Sequence, residues 1–185
     1  MILGISGKSG SGKSSLGEYL QNSHGFVWIN CDQLASDIRN SHQKEIVELV
    51  KDEKIVINGK IDSKKLGGLL FEDKELLKTY NNYIYSILKS IVEKIILENV
   101  NVAIDSMFLP IMDVFDMCNY KILVVCDDNK RKKRILKRDN ISEEYFYKRD
   151  SNGLDYDSEN FDFIIDNNEG FLEEIENILH TIKFK

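Results

Sequence analysis

Cysteine, proline and net positive charge are all scarce in this sequence. The three cysteines form no C-x-x-C pair, which argues against a disulfide framework or a cysteine-ligated metal and predicts reduced thiols. The formal charge of −6 argues against nonspecific binding to nucleic acid or membranes, because phosphate groups would be repelled overall. No apolar run approaches the roughly 18 residues of a membrane span, and no signal segment precedes the first apolar stretch. These features predict a cytoplasmic protein.

The length and composition predict one folded domain over residues 1–185. The chain has a hydrophobic fraction of 42%, which is enough for a normal buried core. The only proline is Pro110, and neither internal repeats nor a low-complexity linker divides the chain. The sequence contains no signal for an oligomeric state.

Five short apolar, β-branched segments alternate with helical patterns. The predicted strands cover residues 2–6, 25–30, 100–105, 120–126 and 161–166. The predicted helices cover residues 13–22, 33–51 in two pieces, 74–99, 128–138, 142–149 and 169–182, with a turn and a short helix within 54–71. This alternation predicts an α/β fold with a five-stranded parallel sheet flanked by helices. Ligands of such sheets bind beyond the carboxyl ends of the strands.

A glycine-rich loop follows the first predicted strand and opens the first helix. Residues 7–14 match G-x-x-x-x-G-K-S, the phosphate-binding P-loop, in the context that the motif requires. Glycines let backbone N–H groups face an anion, Lys13 adds a charge for the terminal phosphates, and the Ser14 hydroxyl can bind Mg²⁺. We therefore predict binding of ATP and Mg²⁺ by Gly7, Ser9, Gly10, Ser11, Gly12, Lys13, Ser14 and Ser15.

Two carboxylates end predicted strands near this loop. Asp32 follows the second strand, where it can accept the proton of an attacking hydroxyl, and the alternative is that it caps the next helix. Asp105 ends the third strand, where it is either a Walker-B-like carboxylate near Mg²⁺ or a strand-end cap. Asp37 and Arg39 are further candidates for substrate contact. The chain has no N-K-x-D motif, so a kinase is favoured over a GTPase.

A strongly basic segment follows the fourth predicted strand. Residues 130–138 carry seven positive charges, which a bound polyphosphate would compensate, and the alternative is a solvated charged helix. Arg131, Arg134 and Arg138 share one helix face by their spacing. The polar stretch 139–160 resembles a mobile lid, for which Arg149 is a second candidate cation. We predict that Arg134 binds ATP and that Arg138 is catalytic.

These motifs together resemble the dephospho-CoA kinase family over almost the whole chain. The resemblance rests on "GISGKSGSGKSS" (4–15), "NCD" (30–32), "NGKIDSKKLGGLLFEDKELLKTYNNYI" (58–84), "RKKRILKRD" (131–139) and "DFIIDNNEGFLEEI" (162–175). It implies transfer of the ATP γ-phosphoryl group to the ribose 3′-hydroxyl of dephospho-CoA, with Asp32 as the base. It also implies that adenine lies near Asn167 and that the helical region of about 55–98 holds the small-molecule acceptor.

The chain departs from the family pattern at four places. Asn30 replaces an aspartate, Ser36 an arginine, Tyr85-Ser86 a His-Pro pair, and "SMFLP" (106–110) a Pro-Leu-Leu-Phe-Glu run. The resemblance places all four on the acceptor side, whereas the donor motif is intact. A nucleoside or deoxynucleoside monophosphate kinase with the same ATP site, and a nucleotide sensor without turnover, are therefore the alternative functions.

Overall fold

The computed structural model describes residues 1–151, 153–157 and 160–183, without the side chain of Arg149. The strands are β1 (Ile2–Ser6), β2 (Val27–Asn30), β3 (Val56–Ile57), β4 (Lys60–Ile61), β5 (Val102–Asp105), β6 (Tyr120–Val125) and β7 (Phe163–Asp166). The helices are α1 (Lys13–His24), α2 (Cys31–Ser41), α3 (Gln43–Val50), α4 (Ser63–Glu72), α5 (Lys74–Glu98), α6 (Asp128–Asp139), α7 (Glu143–Asp150) and α8 (Leu172–Thr181). The chain divides into two compact units.

The first unit contains Met1–Asn30 and the described residues from Ile95 onward. Its five strands form a sheet in the order β2-β5-β1-β6-β7, in which every pair is parallel. The predicted α/β fold with a five-stranded parallel sheet is confirmed. Strand β1 lies in the centre, between β5 and β6, so the loop that follows it lies where the strand order reverses, which is the usual ligand position in such sheets.

The core of this unit lies between the sheet and the helices that pack on it. Its buried residues include Leu3, Ile5, Leu16, Leu20, Ile122, Ile165, Ile175 and Leu179. Strands β1 and β5 are buried over almost their whole length, as expected where both faces of a parallel sheet are covered. Burial of these side chains stabilises the positions of β1 and α1, and thus of the loop between them.

The second unit, Cys31–Lys94, contains α2, α3, α4, the β3–β4 hairpin and most of α5. The sequence predicts the turn at Asn58-Gly59, and both residues have positive φ, but it does not reveal the two-residue strands on either side. Helix α5 buries Tyr80, Ile84, Leu88 and Val92 at a spacing of four, which is the face expected of an amphipathic helix. The region of about 55–98 predicted to bind the acceptor overlaps this unit.

No helix within the described ranges is both long and apolar enough to cross a membrane. Between β5 and β6 the chain forms two 3₁₀ segments, Leu109–Ile111 and Asp113–Met117, which the sequence does not predict. Pro110 lies near the start of the first of these segments, where its missing N–H group costs no hydrogen bond.

Candidate active site

The loop between β1 and α1 has the conformation that its glycines allow. Gly7, Gly10 and Gly12 have φ values of 145°, 77° and 112°, in the region that other residues rarely adopt. A Cβ atom on Gly7 would collide with the carbonyl oxygen of Val124, and one on Gly12 would collide with the amide of Asn167. The glycines are therefore required by backbone conformation and by close neighbours together.

Lys13 is the first residue of α1 and is only 7% exposed. Its ammonium donates a hydrogen bond to the Lys8 carbonyl oxygen at 3.4 Å, so it lies across the loop from which the helix starts. Gly12, at the N-cap, has no side chain that could cap the helix, and the N–H groups of its first turn remain suited to an anion. The end of α1 thus combines the positive end of the helix dipole with a cation.

The hydroxyl of Ser14 donates a hydrogen bond to Oδ2 of Asp105 at 2.9 Å, although the two residues are 91 positions apart. Asp105 ends β5, the neighbour of β1, and is 3% exposed. A hydroxyl and a carboxylate at this edge are the hard oxygen ligands that Mg²⁺ prefers. The contact places Asp105 beside Ser14, and its role as a metal-side carboxylate stays a prediction.

The residues beside the loop fit a phosphate group and its metal ion. Ser11 is 1% exposed, and its hydroxyl has no hydrogen-bond partner in the described part of the chain. It lines a cavity of about 260 Å³ together with Lys8 and Tyr156. Within the same described part, no three His, Cys, Asp or Glu side chains form a metal cluster, so Mg²⁺ would need oxygens of the nucleotide beside Ser14 and Asp105.

The three arginines of the basic helix α6 differ in burial and in their hydrogen-bond partners. Arg131 is 1% exposed, donates from Nε to the Ser9 carbonyl oxygen at 3.0 Å, and forms ion pairs with Asp128 and Asp150. The hydrogen bond from Arg131 holds the pKa of the Asp128 carboxyl below its usual range. Two carboxylates of the protein therefore compensate the charge of Arg131, and binding of a polyphosphate by the rest of the basic segment stays a prediction.

Arg134 and Asn167 contact the glycine-rich loop as well. The exposed Arg134 donates from a terminal nitrogen to the Gly10 carbonyl oxygen at 3.2 Å. The buried Asn167 donates from its amide to the Ser11 carbonyl oxygen at 2.8 Å. The structure thus brings both predicted ATP-binding residues to the loop, and their contacts to ATP itself stay predictions.

The remaining predicted lid cations lie further along. Arg138 has a side chain that is 59% exposed and donates to the Asp139 carboxylate at 2.6 Å and 3.1 Å. The side chain of Arg149 lies outside the described part, as do three residues of the predicted lid 139–160. The catalytic role of Arg138 therefore stays a prediction.

In the second unit, Asp32 is an exposed residue and the second of α2, so it is not the residue before the helix that an N-cap requires. Asp37 accepts a hydrogen bond from the Gln33 amide at 2.9 Å. Burial raises the pKa of Tyr85 to about 12, and the charge of Asp32 acts in the same direction. Tyr85 thus remains a neutral hydroxyl at physiological pH.

Arg39 lies beside another tyrosine of α5 in this unit. Burial raises the pKa of the Tyr80 hydroxyl, and the charge and hydrogen bond of Arg39 oppose that rise. Arg39 therefore contacts a phenol of its own unit, and its predicted contact with substrate stays a prediction.

Sequence reasoning missed the link from α6 to α7. Asp150 ends α7, and its carboxylate is paired with the buried Arg131. Arg131 stands among six other cations of the basic segment, and nothing in their pattern separates the buried charge from the exposed ones. The signal that could have found it is weak: Arg131 lies three residues after Asp128, a spacing typical of helical ion pairs.

Comparison with known proteins agrees with this geometry. The family model of dephospho-CoA kinase matches residues 1–173. A dephospho-CoA kinase from Fusobacterium nucleatum is 31% identical over 193 aligned positions, which cover 98% of each chain. A Thermus thermophilus protein of known crystal structure superposes with a TM-score of 0.81 at 23% identity, covering 98% of this chain and 95% of its own.

A dephospho-CoA kinase structure from Campylobacter jejuni superposes with a TM-score of 0.64 at 23% identity, covering 98% of this chain and 95% of its own. At this identity the two structures support the fold alone. The predicted family and the predicted class of enzyme, a kinase, are confirmed by the family model and by the Fusobacterium relative. The chain, with its P-loop at the centre of a parallel sheet, belongs to the dephospho-CoA kinase family.

Proposed function

We propose that this kinase transfers the terminal phosphoryl group of ATP to the ribose 3′-hydroxyl of dephospho-CoA, giving coenzyme A and ADP. The observation that carries the donor half is the joint placement of the buried Lys13, the Ser14–Asp105 contact and the glycine loop at the end of β1. Family membership supports dephospho-CoA as the acceptor.

The donor half works mainly by electrostatic stabilisation. Backbone N–H groups of the loop and of the first turn of α1 bind phosphate oxygens, and the Lys13 ammonium offsets the negative charge that shifts towards the leaving oxygen. Ser14 and Asp105 would hold Mg²⁺, which neutralises phosphate charge when bound. Because these groups are fixed by β1, β5 and α1, little reorganisation is needed when charge develops.

The acceptor half needs a base. The hydroxyl oxygen of the acceptor forms a bond to the γ-phosphorus, the bond from that phosphorus to the bridging oxygen of ADP breaks, and the hydroxyl proton passes to a carboxylate. We assign this carboxylate to Asp32, which is exposed and lies two residues after the end of β2. A carboxylate within hydrogen-bond reach of the acceptor hydroxyl can remove that proton as the new bond forms.

Arg138→Ala is expected to lower kcat by about tenfold to a hundredfold, because its guanidinium would stabilise the charge of the transferring phosphoryl group. The melting temperature should change by less than about 2 °C, because this side chain is exposed and does not pack in the core. Single-turnover phosphoryl transfer and thermal unfolding measure the two effects. Lys133→Ala, which removes an exposed charge from the same helix, is the control. An unchanged single-turnover rate for Arg138→Ala would remove Arg138 from the proposal.

The acceptor is tested with the purified protein, Mg-ATP and one candidate at a time: dephospho-CoA, dGMP, TMP, or no acceptor. We expect ADP release and a product 80 Da heavier, the mass of a transferred phosphoryl group, only with dephospho-CoA. Phosphorylation of a monophosphate but not of dephospho-CoA would reject the proposed acceptor and retain the donor site. ATP binding without transfer to any acceptor would indicate a sensor.

A further inference from the structure

Three side chains from outside the glycine-rich loop bind three consecutive carbonyl oxygens within it. Arg131 donates to the oxygen of Ser9 at 3.0 Å, and Arg134 donates to that of Gly10 at 3.2 Å. Asn167 donates to the oxygen of Ser11 at 2.8 Å. The donors come from α6 and from the residue after β7, so two separate elements hold the loop.

These contacts influence the direction in which the N–H groups of the glycine-rich loop point. A peptide unit is planar and almost always trans, so its C=O and the N–H of the following residue point to opposite sides. Binding the oxygens of Ser9 and Ser11 from outside therefore turns the N–H groups of Gly10 and Gly12 the other way. Neither glycine has a Cβ to restrict that orientation, and each lies at positive φ.

Arg131 is suited to holding the loop rather than to binding a nucleotide. Its guanidinium is buried, and its three nitrogens are directed to the Ser9 oxygen, Asp128 and Asp150. A buried cation with two carboxylates has its charge compensated, and its removal would leave those carboxylates unpaired. Because Asp150 is the last residue of α7, the same guanidinium also connects α7 to the loop.

We propose that Arg131, Arg134 and Asn167 are positioning residues that hold the glycine loop in its anion-binding conformation before ATP arrives. The proposal rests on the donor half of the proposed function and is independent of the acceptor. A loop that is already ordered loses less conformational freedom on binding, so these residues raise the affinity for ATP. Their effect reaches the phosphates through the loop backbone.

The test uses the full chain with Arg134→Met and Asn167→Asp, each of which removes a donor to the loop. Lys133→Met is the matched control, since Lys133 is an exposed cation adjacent to Arg134 on α6. Hydrogen exchange of a peptide spanning residues 4–16 is measured without nucleotide, and Mg-ATP affinity is measured by calorimetry. We expect exchange in that peptide and the Kd for Mg-ATP each to rise by about tenfold, and Lys133→Met to leave both unchanged.

The exchange measurement and two further variants separate positioning from other roles. A residue that only contacts ATP would weaken binding without changing exchange in the nucleotide-free protein, and this outcome would overturn the proposal. Arg134→Lys, which retains one donor, is expected to restore most of the affinity. If Arg131→Met folds, it is expected to raise exchange and the Kd for Mg-ATP as Arg134→Met does. If it does not fold, the variants of the exposed Arg134 provide the test. If loop exchange and the Kd for Mg-ATP both change as expected but the protein does not phosphorylate dephospho-CoA, only the proposed acceptor is rejected.

Discussion

Lys13→Ala is expected to lower kcat/KM for ATP by about a thousandfold, since removing one preorganised group that stabilises transition-state charge costs about 10²–10³-fold in rate. The Lys13 ammonium is nearly buried and lies at the start of α1, across the loop from the Lys8 carbonyl. Water that enters the space of the missing side chain cannot supply a full positive charge at that position. Steady-state kinetics over a range of Mg-ATP concentrations measure the loss.

The control for this prediction is Lys133→Ala, which removes an exposed lysine from α6 and should retain full activity. Lys13→Arg is a second variant, which retains the charge but places a broader group where the lysine is only 7% exposed. We expect its rate to exceed that of Lys13→Ala only slightly. Activity of Lys13→Ala within about threefold of the wild type would contradict the assigned role of Lys13, because a group that contributes so little is not a transition-state stabiliser.

Asp32→Asn is expected to lower kcat by about 10²–10⁴-fold while changing the Kd for Mg-ATP by less than about threefold. An amide retains the shape of the carboxylate but cannot accept the proton of the attacking hydroxyl. Because the base acts on the acceptor, the donor site should be unaffected. Rapid-quench measurement of the chemical step and calorimetric titration with Mg-ATP separate the two quantities.

Glu48→Gln provides the matched control, since it neutralises an exposed carboxylate of the same unit, on α3. It should leave both kcat and ATP affinity unchanged. Retention of full kcat by Asp32→Asn would remove Asp32 as the base. A parallel loss of ATP affinity would instead assign Asp32 to the donor side.

Local sequence predicts the donor loop well because its requirements are local. Positive φ at Gly7, Gly10 and Gly12 needs glycine, and a strand before and a helix after the loop are both recognisable from apolar patterns. The long apolar pattern of residues 74–99 also predicts α5 closely, since it extends over seven turns. The turn at Asn58-Gly59 is predicted, but strands β3 and β4 on either side of it are not, because strands of two residues carry no recognisable period.

The sequence could not predict which cation of the basic segment is buried. Seven positive charges occur between residues 130 and 138, and helical spacing places Arg131 on the same face as Arg138. In the structure the first is enclosed by Asp128, Asp150 and the Ser9 carbonyl, whereas the second is largely exposed. The difference depends on where α7 and the glycine loop lie, and both are remote in sequence.

By itself, the sequence determined the glycine-rich loop, the alternation of strands and helices, and thereby a parallel sheet whose predicted ligand position is the end of β1. Only the tertiary structure decided that Ser14 contacts Asp105 across 91 residues and that Arg131, Arg134 and Asn167 bind the loop carbonyls. The physical reason is that backbone conformation follows from neighbouring residues, whereas side-chain partners depend on strand order. Here β5 and β6 lie on either side of β1, and that order is set by the packing of the whole sheet.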